Sequence, residues 1–508
     1  MEETKDTVLE GLVVVVGKDN VTTSPEVIAS YAQDQSFTPA SRPHYVVFPE
    51  STAQVQEIVR LANECGVPVV PRSSPVSLHG ASIPGEGGIL LDLGRMDRIL
   101  EVNERNWYAI IEPGVSFLRL NEELKKHGFR VAAPLLTPPS ASVVSTYLER
   151  TPVVTAADFT YGSEHVISYT VVVPNGDTFT VGHPPLANTP ASSSDGPGLN
   201  FYRIFQGAQG TLGIVTWMVI RVLPLPKARK VFFFPCDDIE RAVEVISRIQ
   251  KSELGLECFA LNSFNLAALL VKEAPGQARL LKSGEYIGPC GAQSYWTERQ
   301  LEQFVDLRDT LPAWTVVLCL SAVGPLPREK IAYQELDLKE AMTEIGVELK
   351  PTVSGLLALD KVILDETILP WRLQKRFGYQ GSCQELMFCS SPDRVGDFDA
   401  VIYQVADQFG YPAEDIGGYL LPMERGRACY LTYDLHCDLD DPEQSLEVSD
   451  LFDSVSELLI TMGAFFDRPY GKWARMVYSR AGSYTEYARK VKVELDPNNI
   501  MNPGKLCF

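Results

Sequence analysis

The stretch that decides the fold is RPHYVVFPESTAQVQEIVRLANECGVPVVPRSSPVSLHG, residues 42–80. Its centre, TAQVQEIVRLANECG, puts Val55, Ile58, Val59 and Ala62 on one face of a helix, with a threonine near its start and Gly66 just past its end. The apolar run VPVVP then reads as a buried strand. The strand opens into PRSSPVSLHG, residues 71–80, a loop of serines and prolines that ends on a His-Gly pair. A glycine-rich turn there would read at once as a phosphate cradle, and this one is nearly free of glycine. Its meaning has to come from what flanks it.

From about residue 45 to 175, short Val/Ile-rich runs alternate with amphipathic segments, the texture of an α/β unit. GGILLDL, DRILEVN and WYAIIEPG are three β-type runs, and the helix SFLRLNEELKKHG behind them is closed by Gly128. SYTVVVPNGDTFTVG reads as a hairpin around Asn175-Gly176, a pair suited to a type I′ turn. HPPLANTPASSSDGPG, residues 183–198, reads as an exposed loop. After IRVLPLPKARK the texture changes: helices such as DDIERAVEVISRIQ alternate with strands such as WTVVLCLSAVG and GRACYLTYDL, which puts a domain boundary near Lys227.

A chain of 508 residues is too long for one core, and 45% hydrophobic with 22% charged residues is the composition of an ordered globular protein. A formal charge of -20 repels nucleic acid and anionic membranes, so no nucleic-acid partner is expected. The acidic start MEETKDTVLEGL lacks the order of a secretion signal and LVVVV is too short to span a bilayer, so no membrane span and a cytoplasmic location are expected. None of the 10 cysteines forms a CxxC pair, which leaves scattered reduced thiols as the reading.

Five blocks, in order, resemble the flavoprotein superfamily of vanillyl-alcohol oxidase and p-cresol methylhydroxylase (PCMH), whose relatives include D-lactate dehydrogenase and glycolate oxidase. They are the opening stretch, GGILLDLGRMDRILEVNERNWYAIIEPGVSFLRLNEEL, YGSEHVISYTVVVPNGD, RIFQGAQGTLGIVTWMVIRVLPLP and ELDPNNIMNPGKL. The resemblance implies an α+β fold: a PCMH-type FAD-binding domain of two α/β subdomains over residues 1–227, and a cap domain over 228–475 with an antiparallel sheet flanked by helices. Residues 476–508 would return to pack on the first domain.

The resemblance also implies FAD as cofactor and makes PRSSPVSLHG the pyrophosphate loop. A concave loop of backbone N–H groups holds a pyrophosphate without a basic side chain. Arg72, Ser73, Ser74, Pro75, Val76, Ser77, His79 and Gly80 are its candidates here. The family places consecutive glycines where Ser73, Ser74 and Pro75 stand; Pro75 removes one donor and stiffens the loop, and the hydroxyls of Ser73, Ser74 and Ser77 can each offer one in compensation. Some relatives attach FAD covalently through a loop histidine, but His79 sits near the loop's end, where a hydrogen bond near the cofactor is the expectation. The segment TPPSASVVSTYLERTPVVTAADFTYGSEH adds Thr137, Pro139, Ser140, Ser142, Glu149, Gly162 and His165. The GTLGIVT block adds Gly210, Gly213, Ile214 and Val215, and the tail adds Asn502 and Lys505.

The substrate side departs from both branches of the family. Where D-lactate and glycolate enzymes carry a histidine-rich motif and Gly-Glu-His-Gly, this chain keeps only His436, so no metal is expected. Where the phenol-oxidising branch holds a phenolate with tyrosines and an arginine, the chain offers PYGKWARMVY. Tyr470, Trp473 and Arg475 are therefore pocket candidates, with Tyr419, Arg425 and Arg427 behind them; the rings would give shape and a guanidinium would pair with an anion.

The expected function is an FAD-dependent oxidoreductase, dehydrogenase or oxidase, that takes a hydride from an alcohol, 2-hydroxy acid or alkylphenol-type small molecule and passes electrons to an external acceptor. The alternative is the flavin subunit of a multi-protein electron-transfer complex. The expected partners are a small-molecule substrate and an external electron-acceptor protein, with room for a homo-oligomer.

Overall fold

The helix of the opening stretch forms as Thr52–Cys65, with Val55, Ile58, Val59 and Ala62 wholly buried. Burying each valine or isoleucine contributes about 1.5–3 kcal/mol. The cap is Ser51, whose Oγ accepts the Gln54 N–H at 3.3 Å, and Gly66 ends the helix at φ 62°, a conformation that a side chain would strain. These coordinates are a computed structural model that describes residues 2–76, 78–155, 165–182, 200–283 and 295–508, with side chains from residue 7 onward. Ser77, Gly162 and the loop 183–198 lie outside the described residues.

The strand Val69–Arg72 pairs in parallel with Ile89–Asp92, and Tyr45–Val47 and Val21–Thr22 complete a four-stranded sheet. Its other side takes the C-terminal tail: the Val69 N–H donates to the Ile500 carbonyl at 2.7 Å, and the Asn502 N–H to the Val69 carbonyl at 2.9 Å. A second sheet has five antiparallel strands, in the order Ile99–Asn103, Tyr108–Ile111, Ile214–Arg221, Val166–Val172 and Thr178–Val181.

The last two strands are the expected hairpin, but the turn differs from type I′. The Gly176 N–H donates to the Val173 carbonyl at 2.8 Å, and of Asn175 and Gly176 only Gly176 has a positive φ, 81°. Pro174 sits first in the turn, and its fixed φ selects the common type I geometry, with the glycine as a bulge after it.

Residues from Ala228 to Cys437 build a six-stranded antiparallel sheet in the order Ala228–Cys236, Trp314–Ala322, Glu257–Asn262, Gly417–Met423, Ala428–Cys437 and Ser382–Ser390. Helices Ile239–Lys251, Pro327–Thr343, Val395–Gln408 and Pro442–Met462 pack with it around the largest hydrophobic core. The arrangement is the expected α+β class. Leu135, Leu136 and Val154 reach into that core from the N-terminal half. A buried ionic link joins the halves as well: Glu257 pairs with Arg130 and with Arg229, each at 2.5 Å.

Among the described residues no helix is long and apolar enough to cross a membrane, and the cysteines are free thiols.

Candidate functional site

The loop after Val69–Arg72, the segment 136–151 and residues 205–215 enclose a deep cleft with about 1440 Å³ of empty space, counted out to its mouth. Local chemistry sets each wall. Ser142 caps the helix Val143–Leu148 by accepting the Ser145 N–H at 3.1 Å and donates to the Pro113 carbonyl at 2.5 Å, which turns residues 136–141 toward the cleft. Gly210 lies so close to Pro71 that a Cβ there would sit 2.4 Å from the proline ring. Only glycine allows that approach.

The six-stranded sheet supplies the far end. Side chains two apart on a strand share a face, so Glu385 and Met387 of Ser382–Ser390 lie together; Tyr430 of the neighbouring strand lines the cleft beside them. Arg468 and Tyr470, just before the helix Gly471–Tyr478, complete that end.

Arg468 is its organising group. It is 4% exposed. One Nη donates to Tyr430 Oη at 2.6 Å and the other to Thr151 Oγ1 at 3.2 Å, while Nε stands 3.7 Å from Asp467. Burial works against its charge, but Tyr430 and Asp467 hold its pKa above the ordinary arginine value. Tyr470 donates to Glu149 Oε2 at 2.7 Å, and burial raises the pKa of both groups. His79 stacks on Tyr470 with ring centres 4.9 Å apart, and its Nε2 faces Glu385 Oε2 at 3.4 Å. Burial, then the field of Arg468 and Arg376, lowers the His79 pKa to about 4. Burial raises that of Glu385, against the pull of the adjoining Arg376.

Of the residues singled out in the sequence, Arg72, Ser73, Ser74, Val76, His79, Thr137, Glu149, Gly210, Gly213, Ile214, Val215 and Tyr470 line the cleft. The loop holds itself differently from the expectation. The Arg72 guanidinium folds back onto the Ser74 and Pro75 carbonyls at 3.0 and 2.7 Å, and the Ser74 hydroxyl donates to the Val76 carbonyl at 3.2 Å. The Ser74 proton is therefore committed within the loop, and Pro75 is exposed.

Gly80, Asn502 and Lys505 anchor the loop from behind. The Gly80 N–H donates to Asp34 at 2.7 Å, Lys505 Nζ to the Gly80 carbonyl at 2.8 Å, and the Asn502 amide to the Ala81 and Gln209 carbonyls at 3.0 and 2.6 Å. Lys505→Met removes one charged hydrogen bond and is expected to weaken FAD retention by about 1.5–3 kcal/mol without unfolding the chain. Equilibrium dialysis of FAD against the variant measures it; unchanged retention contradicts the anchoring role.

Other candidates stand elsewhere. Pro139 and Ser142 shape the wall through backbone and cap contacts. His165 is buried against Tyr147 with ring centres 5.6 Å apart, away from the cleft lining. Tyr419 is buried in its strand beside Phe259 and Tyr430, behind the site. Trp473 lines a neighbouring cavity and donates to Ser456 at 2.8 Å; Arg475 is exposed on another face. Arg425 pairs with Glu253 and Arg427 with Glu424, both at the surface.

A second arginine in the cleft lining, Arg468, stands two residues before Tyr470; with Tyr430, Met387 and Glu385 it is absent from the candidates that the sequence offers. An Asp-Arg pair inside the apolar run GAFFDRPYG was the available signal, because charges in such a run have to be paired.

The donor set fits a dinucleotide. The only carboxylates that line the cleft among the described residues, Glu149 and Glu385, sit at the Arg468 end, so the loop end offers hydroxyls and backbone with no acidic side chain. Ser140, a further candidate of this segment, is not among the residues that line the cleft, where Ser73 and Thr137 supply hydroxyls. An anion at that end would meet donors without repulsion.

His79 also makes a pH prediction. Its folded pKa, about 4, lies below the ordinary 6.5, so its contribution to stability is complete above pH 6.5 and is lost as pH falls toward 4. His79→Gln is expected to remove that part of the acid-side loss. Urea midpoints of the two proteins compared from neutral to pH 4 measure it, and identical pH profiles contradict it.

Comparison with known proteins agrees with this geometry. The family described as FAD binding domain matches residues 43–182, and FAD linked oxidases, C-terminal domain, matches residues 431–506. The glycolate oxidase subunit GlcD of Bacillus subtilis is 29% identical over 246 residues, 48% of this chain and 51% of that one, so the match spans about half of that relative's length. D-lactate dehydrogenase of Anaerostipes hadrus is 24% identical over 484 residues, covering 92% of this chain and 90% of its own. The crystal structure of p-cresol methylhydroxylase with substrate bound superposes with a TM-score of 0.79 at 17% identity, over 100% of this chain and 98% of that one. The chain therefore carries an FAD binding domain over residues 43–182 and the C-terminal domain of the FAD linked oxidases over residues 431–506, on the fold of p-cresol methylhydroxylase.

Proposed function

We propose that the chain oxidises a small alcohol, 2-hydroxy acid or alkylphenol that carries an anionic group, and passes the electrons to an external acceptor. The observation that carries the reading is Arg468, a buried guanidinium in the lining of the cleft beside Tyr430 and Tyr470. A carboxylate or phenolate is the partner such a group selects.

FAD supplies the two-electron acceptor when bound, and the loop Arg72–Val76, Thr137, Gly210 and residues 213–215 would hold it. Arg468 and Tyr430 bind and orient the substrate's anion. The stacked His79 and Tyr470 wall the site from water. Glu385, whose carboxyl binds a proton more readily than an ordinary one, takes up the substrate's proton at Oε2.

The test is the visible spectrum of the FAD-loaded protein under anaerobic exposure to 2-hydroxy acids, 4-alkylphenols and uncharged alcohols. Bleaching by an anion-forming class is expected. Bleaching by uncharged alcohols alone overturns the role given to Arg468.

A further inference from the structure

A second cavity, with about 780 Å³ of empty space out to its mouth, adjoins the cleft. The two share Leu78, His79, Glu385 and Tyr470, so the stacked His79–Tyr470 pair stands where they meet. Its walls are Phe37, Pro39, Phe452 and Trp473, with Phe37 edge-on to Phe452 at 5.8 Å and Phe452 stacked on Trp473 at 5.2 Å.

Most polar groups in this wall are already occupied, the Thr38 hydroxyl aside. The Ser36 hydroxyl donates to Asp34 at 2.6 Å, the Gln384 amide to the Gln35 carbonyl at 2.5 Å, and the Trp473 indole N–H to Ser456 at 2.8 Å. Lys472 is held by Asp453 and, at 3.1 Å, by Ser449. The chamber offers carbon surface and few free donors. A ligand that fills it gains by burying apolar area.

We propose that this chamber receives the apolar tail of the substrate, an alkyl or aryl-alkyl chain whose anionic end lies at Arg468. The inference rests on the reading of the Arg468 end as the substrate site, and it narrows the substrate to amphipathic molecules with a tail of several carbons. Phe452 and Trp473 then set the accepted tail length, and Trp473 is a specificity residue that does not touch the reacting atoms.

The experiment titrates FAD-loaded full-length protein with unreactive n-alkanoates from acetate to decanoate. It reads flavin absorbance and the fluorescence component that is lost in Trp473→Phe. Affinity is expected to tighten about three- to four-fold per methylene up to a limit, with the Trp473 signal appearing as the tail lengthens. Phe452→Trp shortens that limit, and the wild-type series decides alone if this variant does not fold.

A flavin response with flat chain-length dependence and no Trp473 signal overturns the chamber and leaves the Arg468 site standing. A Trp473 signal that tightens with chain length and has no flavin response keeps the chamber and refutes the anion site. Silence in both channels overturns the chamber.

Discussion

Arg468→Met is expected to yield a chain that folds and still takes up FAD, but whose flavin substrate no longer bleaches at a comparable rate. Removing one partner of a buried, hydrogen-bonded charge pair costs about 2–5 kcal/mol, so apparent affinity for the substrate anion should fall about thirty-fold or more. Arg468→Lys should recover little. Tyr430 and Thr151 are held by two different nitrogens of the guanidinium, and an ammonium cannot reproduce that fork. The lysine variant keeps a positive charge beside Asp467, so it separates loss of substrate geometry from loss of local charge balance. Stopped-flow reduction of FAD-loaded variants measures both. Rates and affinities within about three-fold of wild type would contradict the assignment.

Glu257→Ala is expected to destabilise the protein by about 3–5 kcal/mol, because a buried ion pair that loses one member leaves uncompensated charge behind. Here it leaves two: the Arg130 side chain is 3% exposed and that of Arg229 is 12% exposed, around a carboxylate with no exposure at all. Arg130 comes from the short strand Phe129–Arg130 in the N-terminal half, and Glu257 from the six-stranded sheet. The loss should therefore loosen the join between halves, and FAD binding should weaken with it. Urea denaturation followed by circular dichroism and by flavin fluorescence measures both effects; a loss below about 1 kcal/mol, the value of an exposed pair, contradicts the account.

The cofactor half was legible because its determinants are local. Helix Thr52–Cys65 announced itself by apolar spacing and a terminal glycine, and the loop after Val69–Arg72 by its flanks. What local reading missed depended on partners far along the chain. Asn502 and Lys505 read as cofactor candidates from the tail motif, and their grip on the carbonyls of Ala81, Gln209 and Gly80 is a relation that only the folded tail creates. The Asn175-Gly176 turn was misread because Pro174 had more say than the pair itself.

The substrate end was hardest for the same reason. Glu385, Tyr430 and Arg468 come from two strands and a connecting segment, each in an apolar run where a lone polar residue has no visible partner. Aromatic side chains serve cores and pockets alike, so the sequence does not sort Trp473 from Tyr419. Trp473 lines the neighbouring chamber and Tyr419 the sheet interior.

The most direct test of the central claim is a crystal structure of the FAD-loaded chain with an unreactive carboxylate bound. The pyrophosphate is expected against the loop Arg72–Val76 and the carboxylate within hydrogen-bond distance of Arg468. FAD bound outside this cleft, or a carboxylate seated away from Arg468, would contradict it.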